Sequence, residues 1–321
     1  MAAAVHNFQA SSVFTRDQLL ALKRKSDLRG AWMIFHCWAV IFGAMAMFVW
    51  WPNPVTFVAA VAIIGGRQLG LGILSHDAAH GLLFNNLAVN DFGGSWLTVN
   101  ATLGDMYAYR RVHVAGHHRH TQQKDDPDLA LAAPFPITRS SLRRKIIRDL
   151  TGQTAYKQRI GLIRRAFGSP RQTWPERIRL GCSRLAPALI TNTILFAILA
   201  ATGHWWLYPL LWLVPWMTWE EMITRFRSIA EHSTVADNDD PLRNTRTTYA
   251  NWLERALIAP YFVNYHLEHH LLLSVPCYRL PEAHRLLLAK GYGPRMEIQP
   301  GYRAVLARAS SKPEPLPAAA A

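Results

Sequence analysis

The chain has 321 residues, 50% of them hydrophobic, with 12 Trp and a formal net charge of +14. A mean hydropathy of +0.01 fits neither an ordinary soluble domain nor a pure membrane bundle, so the average conceals two kinds of segment. The charge would suit nucleic acid, but no nucleic-acid module is visible and the basic residues flank apolar stretches; a membrane surface is the expected partner.

Residues 1–30 form a polar leader with a helical stretch over 15–25, expected to lie in the cytoplasm. The opening MAAAVHNFQA lacks the charged-then-apolar layout of a cleavable signal, so the first apolar stretch is expected to direct insertion. A spanning helix needs ~20 mostly apolar residues. Residues 31–51 and 185–202 meet this without an Asp, Glu, Lys or Arg. Residues 55–75, which contain Arg67 and Gln68, and 207–223, which end near Glu220 and Glu221, are two further candidates.

Short links, Pro52-Asn53-Pro54 and Gly203-His204-Trp205-Trp206, join each pair into a hairpin. The expected fold is therefore all-α and integral to the membrane, with four transmembrane helices in two hairpins. A membrane domain over 31–309 would be followed by a disordered Ala/Pro/Ser tail over 310–321.

Of the 35 Lys and Arg, 5 lie in residues 1–30 and 17 in 106–184, whereas the hairpin tips carry none. The positive-inside rule then places both termini and the central segment in the cytoplasm. Residues 90–105, just before it, are apolar but short and Gly-rich, and are expected at the interface. Residues 138–184 alternate cationic and apolar positions at helical spacing, which suits either a helix lying on anionic lipid or a solvated insertion. Cys37, Cys182 and Cys277 form no C-x-x-C pair, consistent with reducing, cytoplasm-facing chemistry.

The histidines are not scattered. Of 14, nine fall in four groups on the predicted cytoplasmic side: His76 and His80; His113, His117 and His118; His232; and His266, His269 and His270. Helical positions i and i+4 share a face, so the first and last groups each converge on one point. In the middle group His118 would lie roughly 140° from His113 at ideal pitch, while His120 falls almost over it. Either a one-residue bulge near Gly116 returns His118 to the site, or His120 replaces it. His6, His36, His204 and His284 stand alone and read as surface, span or interface residues.

Neutral imidazole is the commonest metal ligand, and so many buried nitrogens would otherwise need partners. Nine exceed what one tetrahedral zinc uses and no thiolate joins them, so two ions of higher coordination fit better, with iron the usual choice for dioxygen chemistry and copper still open. Asp77, Glu231 and Glu268 sit beside or between these histidines and are expected to orient them. Asp105, Asp125, Asp126 and Asp128 lie near the first two groups, although the DDPD stretch reads equally well as a turn.

HDAAH (76–80), HVAGHH (113–118) and HLEHH (266–270), set against these spans, resemble the histidine boxes of the membrane fatty acid desaturases and their hydroxylase and carotenoid ketolase relatives. The likeness runs over about 30–290 and includes VPCYRLPEAH after the third box. Because the second box of that family admits two or three intervening residues, the resemblance favours His118 over His120. It also implies His232 as an additional ligand and Asn264 as a contact to the metals through water.

The resemblance further implies a cytoplasmic helical cap holding a di-iron site, in which two Fe2+ ions and dioxygen remove hydrogen from a methylene of a lipid chain. Leu271 to Leu273 then stand where a hydrocarbon tail approaches the metals, or simply pack. No fused haem carrier with a His-Pro-Gly-Gly signature is visible, so a separate ferredoxin-like or haem protein is the expected electron donor. That lack, with no reticulum-retention tail, points to a bacterial inner membrane. Hydroxylation or ketolation of a lipid or carotenoid by the same site is the alternative outcome. A non-redox metal transporter or sensor is a third reading, disfavoured because transporters usually place ligands near the bilayer midplane.

Overall fold

The computed structural model describes residues 8–129 and 134–314. Helix α1 (Arg16–Lys23) begins at a capping box in which Thr15 accepts from the Gln18 backbone and Gln18 returns the bond. Ser26 caps α2 (Asp27–Trp50), and Asn53, followed by Pro54, caps α3 (Pro54–Ala79). These two long apolar helices pack as the expected hairpin, Cys37, Ile41 and Met45 of one being buried in the same core as Ile64, Leu71 and Leu74 of the other.

Beyond α3 the chain forms α4 (Leu87–Trp96), a 3-10 turn over Val99–Thr102, and α5 (Met106–Val112). Asn90 ties this interface segment to the end of α3: its side-chain amide donates to the Ala78 carbonyl and its oxygen accepts from Leu83 and Phe84. Gly94 permits the contact, since a Cβ there would lie 2.2 Å from the Ala78 Cβ. Gly94→Ala is therefore expected to cost about 1–3 kcal/mol through overpacking. Thermal unfolding of the purified protein checks this, and an unchanged midpoint would mean that α3 and α4 part freely.

The basic insertion folds as α6 (Arg139–Leu150) and α7 (Gln153–Ala166). It leads into α8 (Trp174–Ala201), which starts well before the expected residue 185 because a Thr173/Glu176 capping box and a cationic first half extend the helix. Among the described residues, three helices, α2, α3 and α8, are long and apolar enough to cross a membrane.

The stretch expected as a fourth continuous helix over 207–223 is divided. Tyr208–Leu213 winds as a π-helix, Val214–Met217 makes one α turn, and Thr218 breaks the run at φ −127°, ψ −78° before α9 (Trp219–His232). Pro215 accounts for the π-helical turn before it, since it has no N–H for the Leu211 carbonyl and crowds that turn, whereas Pro209 stands in the first turn, where proline is tolerated.

Helix α9 anchors the basic helices. Asp149 of α6 accepts from Arg225 Nη2 at 2.8 Å, and Glu221 pairs with Arg159 of α7 at 2.8 Å, while the Arg159 guanidinium lies 4.4 Å over the Trp216 ring. The remaining elements are α10 (Trp252–Leu257), α11 (His266–Leu271), α12 (Leu280–Ala289) and α13 (Tyr302–Ala309). Strands β1 (Thr247–Thr248) and β2 (Ile298–Gln299) pair in parallel. Of the tail, residues 310–314 return to α6, where Glu314 accepts from the Ser140 amide at 2.8 Å; residues 315–321, like residues 1–7, lie outside the described set.

Candidate metal centre

The first histidine box occupies the end of α3, where His76 and His80 stand one turn apart with ring centroids 4.9 Å from each other. The carbonyls at this helix end need donors. Arg110 supplies them, Nε to Ala79 at 2.8 Å and Nη2 to Ala78 at 2.9 Å, which fastens α5 and the second box to the first. A cation at a helix C-terminus is also favoured by the helix dipole.

In the second box the bulge is present. After α5 the chain runs as a π-helical turn over His113–His117, which includes Gly116. The extra residue in this turn brings His118 round to His113, with Nε2 atoms 3.0 Å apart. His120 belongs to neither histidine group; its carbonyl accepts from Gln123.

The third box forms α11, entered through two consecutive non-glycine residues with left-handed backbone, Tyr261 (φ 52°) and Phe262 (φ 61°). Such strain is stored where the surroundings over-determine the conformation. Here the Tyr261 hydroxyl donates to the Met33 carbonyl of α2 at 3.0 Å, and its ring fills the space left by Gly70 on α3. His232 closes α9, its Nε2 2.8 Å from that of His266.

The nine histidines resolve into two groups. His76, His80, His113, His118 and His269 form one; His117, His232, His266 and His270 form the other. The groups adjoin, the His118 and His270 ring centroids being 4.4 Å apart. Nε2 separations of 2.9 Å (His76 to His113), 3.0 Å (His113 to His118) and 3.1 Å (His118 to His269) cannot all be hydrogen bonds, because each ring nitrogen has one hydrogen or one lone pair. His80 Nε2 and His117 Nε2 are buried with no hydrogen-bond partner among the described residues.

A metal ion accounts for this pattern. With bonds of roughly 2.1 Å, neighbouring nitrogens of a six-coordinate ion lie about 3.0 Å apart and those of a tetrahedral ion about 3.4 Å. The observed spacings are of this order. Burial, reinforced by the adjacent imidazoles, pushes the pKa values of His113, His118, His232, His266, His269 and His270 below the ordinary histidine value, leaving the neutral, ligating form. The residues present therefore fit two metal ions.

The expected supporting groups divide. Glu231 lies 3.6 Å from His266 Nδ1 and accepts from Arg227 at 2.6 Å. Asp77 stands 3.8 Å from His76 Nδ1, but its hydrogen bond comes from the Cys277 amide at 2.9 Å. Glu268 faces away from the boxes: it accepts from Thr247 and lies 2.7 Å from Nδ1 of His284, whose other nitrogen meets the Tyr249 hydroxyl. It locks α11 to β1 and α12 and touches no box histidine through these bonds. Asn264 donates to the Thr248 carbonyl at 3.0 Å, and its oxygen is buried without a partner among the described residues.

Asp126, one of the carboxylates noted near the second box, and Thr121, which has no assigned role in the sequence, touch the boxes directly. Asp126 Oδ1 is 2.8 Å from His117 Nδ1, the shortest carboxylate contact to any box histidine, and Thr121 Oγ1 is 3.3 Å from His270 Nδ1. Asp126 is itself held by the amides of Gln122 and Asp128. Its place in DDPD nine residues after His117 was the available signal, although a turn explained the same letters. A cavity of about 410 Å³ reaches His118 of one group and His270 of the other between walls that include Arg119, Gln123 and Asp239.

A fatty acid desaturase family model matches residues 50–300, which covers all three boxes and His232. The chain belongs to the fatty acid desaturase family. Members of this family are oxidoreductases of a di-iron class acting on lipid substrates, in accord with histidine groups able to hold a metal.

Among relatives, the chain is 28% identical over 304 residues to the dihydrorhizobitoxine desaturase of Bradyrhizobium elkanii, covering 88% of this chain and 80% of that one. It is 24% identical to a beta-carotene ketolase of Paracoccus sp., covering 84% and 95%, and 24% identical to an sn-1 oleoyl-lipid 12-desaturase of Synechocystis sp., covering 76% and 70%. Relatives named as desaturases and as a ketolase thus stand at similar identity to this chain.

Proposed function

We propose that this family member is a membrane-bound, dioxygen-dependent desaturase that introduces a double bond into a fatty acyl chain of a lipid or acyl thioester. The observation that carries this reading is the gathering of nine imidazoles into two adjoining groups beside the ends of apolar helices. Two Fe2+ ions held there would supply the dioxygen activation needed to remove hydrogen from an unactivated methylene.

His76, His80, His113, His118 and His269 would hold one ion, and His117, His232, His266 and His270 the other. Asp126 fixes the tautomer of His117 by accepting its Nδ1 hydrogen, and Thr121 supports His270 in the same way. Glu231 adds negative charge beside His266, Asp77 braces the helix end that carries the first box, Asn264 offers its free oxygen to a water, and Glu268 keeps α11 in place. Burial of the imidazoles limits bulk water, so that the oxidising equivalents go to the substrate.

In the proposed topology the divided segment over 207–223 completes a set of four spans, with the leader (1–30), the tail (310–321) and the boxes on the cytoplasmic side of a bacterial inner membrane. The membrane domain of 31–309 would take electrons from a separate ferredoxin-like or haem carrier, drawn to the basic α6–α7 surface by charge.

Lipid mass spectrometry on membranes expressing the wild type or His270→Ala tests the reading. A wild-type product lighter by two hydrogens is expected, with the variant giving none. The likeness to beta-carotene ketolase supports a second reading, oxygen insertion by the same site. A wild-type product gaining oxygen would establish it and overturn desaturation.

A further inference from the structure

A larger cavity, about 1010 Å³, lies between α4, α5, α7 and α8, and no box histidine lines it. Phe92, Trp96, Leu103, Met106, Leu162 and Leu185 give it apolar walls, and Arg111, Arg165 and Arg184 add three guanidinium groups. Such a volume is at the upper end of small-molecule sites, and its size alone identifies no ligand. The charges are more informative.

Of the two acidic residues in the wall, one is neutralised by an ion pair and the other keeps its charge. Asp91 pairs with Arg110, 3.1 Å from Nη1, and Asp105 caps α5 by accepting from the Ala108 amide at 2.9 Å. Among the described residues none of the three arginines is paired with a carboxylate; Arg184 donates only to the carbonyls of Arg165 and Ala166, which end α7. The cavity therefore combines apolar walls with a net positive charge, three guanidinium groups against the one unpaired carboxylate of Asp105.

Its position fits the same chemistry. The α8 wall of Leu185, Pro187 and Ala188 continues along the helix into Leu189, Ile190, Ile194 and Ile198, which are 60%, 47%, 54% and 50% exposed on a helix able to span the membrane. The cavity thus stands where the cationic half of α8 gives way to its lipid-facing half, the depth at which headgroups meet acyl chains.

We propose that this cavity is a binding site for an anionic phospholipid of the bilayer, separate from the metal centre, with the phosphate on Arg111 and Arg165 and an acyl chain against Phe92, Trp96 and Leu162. The charge excess selects an anionic over a zwitterionic headgroup, and the apolar walls select a lipid over a free phosphate. Each arginine near an anionic headgroup contributes ~1 kcal/mol, about a fivefold preference.

The full chain in phosphatidylcholine nanodiscs containing a minor share of photoactivatable phosphatidylglycerol or phosphatidylcholine gives the test, read by mass spectrometry of cross-linked peptides. Phosphatidylglycerol is expected to label α4 and α7 peptides about fivefold or more over phosphatidylcholine. Arg165→Gln and Arg111→Gln should each lower that preference, and Ala88→Trp, which fills the cavity from its exposed rim, should remove the label. Equal labelling of the wild type by both lipids would overturn the proposal, as would labelling unchanged by the arginine variants or by Ala88→Trp. Iron content, measured in parallel, reports the metal centre independently, so failure of the lipid site and failure of the desaturase reading give different results.

Discussion

His118→Ala is expected to abolish product formation, by more than about a hundredfold, and to lower bound iron from two to no more than one per chain, whereas His120→Ala keeps both. The outcome follows from the π-helical turn over His113–His117, which delivers His118 into the five-histidine group and leaves His120 outside either group. Residues that merely support a ligand typically cost 10–100-fold, so the loss of a ligand should exceed that range. Iron analysis of the purified variants, with activity measured in the same membranes, checks the result. Equal loss in the two variants would mean that the second box is read wrongly, and full retention in His118→Ala would remove that residue from the centre.

The second large effect is expected at Asp126. Its carboxylate accepts from His117 Nδ1 at 2.8 Å while two backbone amides hold it in place, so the ring is committed to presenting Nε2 to the second group. Asp126→Ala frees that ring, and a fall of about 10–100-fold in activity or iron affinity is expected. Asp126→Asn, which still offers an oxygen acceptor, should recover part of it. Asp125→Ala, at the exposed neighbour, serves as the control and should leave iron and turnover unchanged. Iron titration of the metal-free protein separates a positioning role from a purely structural one: equal affinities in Asp126→Ala and wild type would refute the assignment.

Local geometry decided how much of the site was legible in advance. His76 and His80, or His266 and His270, share a helix face by spacing alone, and α2 and α3 announce themselves by length and apolarity. The same periodicity explains why Glu268 misleads. Two residues past His266 it lies about 200° round the helix, so its carboxylate points to Thr247 and His284 while His266, His269 and His270 join the two histidine groups.

Asp126 and His232 depend on long-range folding, because only the tertiary arrangement brings the DDPD turn to His117 or the end of α9 to His266. His284 lies in neither histidine group, and it is buried and bonded rather than a surface residue. The winding of 208–217 departs from a regular α-helix at Pro215, which hydrophobicity counts as a neutral letter but backbone hydrogen bonding does not.

Once occupied, the centre is also a pair of cross-links in a polymer. The contacts between Nε2 atoms join positions 37 (His76 to His113), 34 (His232 to His266) and 151 (His118 to His269) residues apart. Closing a loop costs roughly (3/2)RT ln n, so the longest closure is only about 1.3 kcal/mol dearer than the shortest. The chain between the second box and His232 can thus lengthen or shorten at little expense to the metal knots, which leaves the basic α6–α7 arm free to diverge while the nine imidazoles stay put. Chelation would undo all these closures together, loosening the cap as a unit before the apolar helices part.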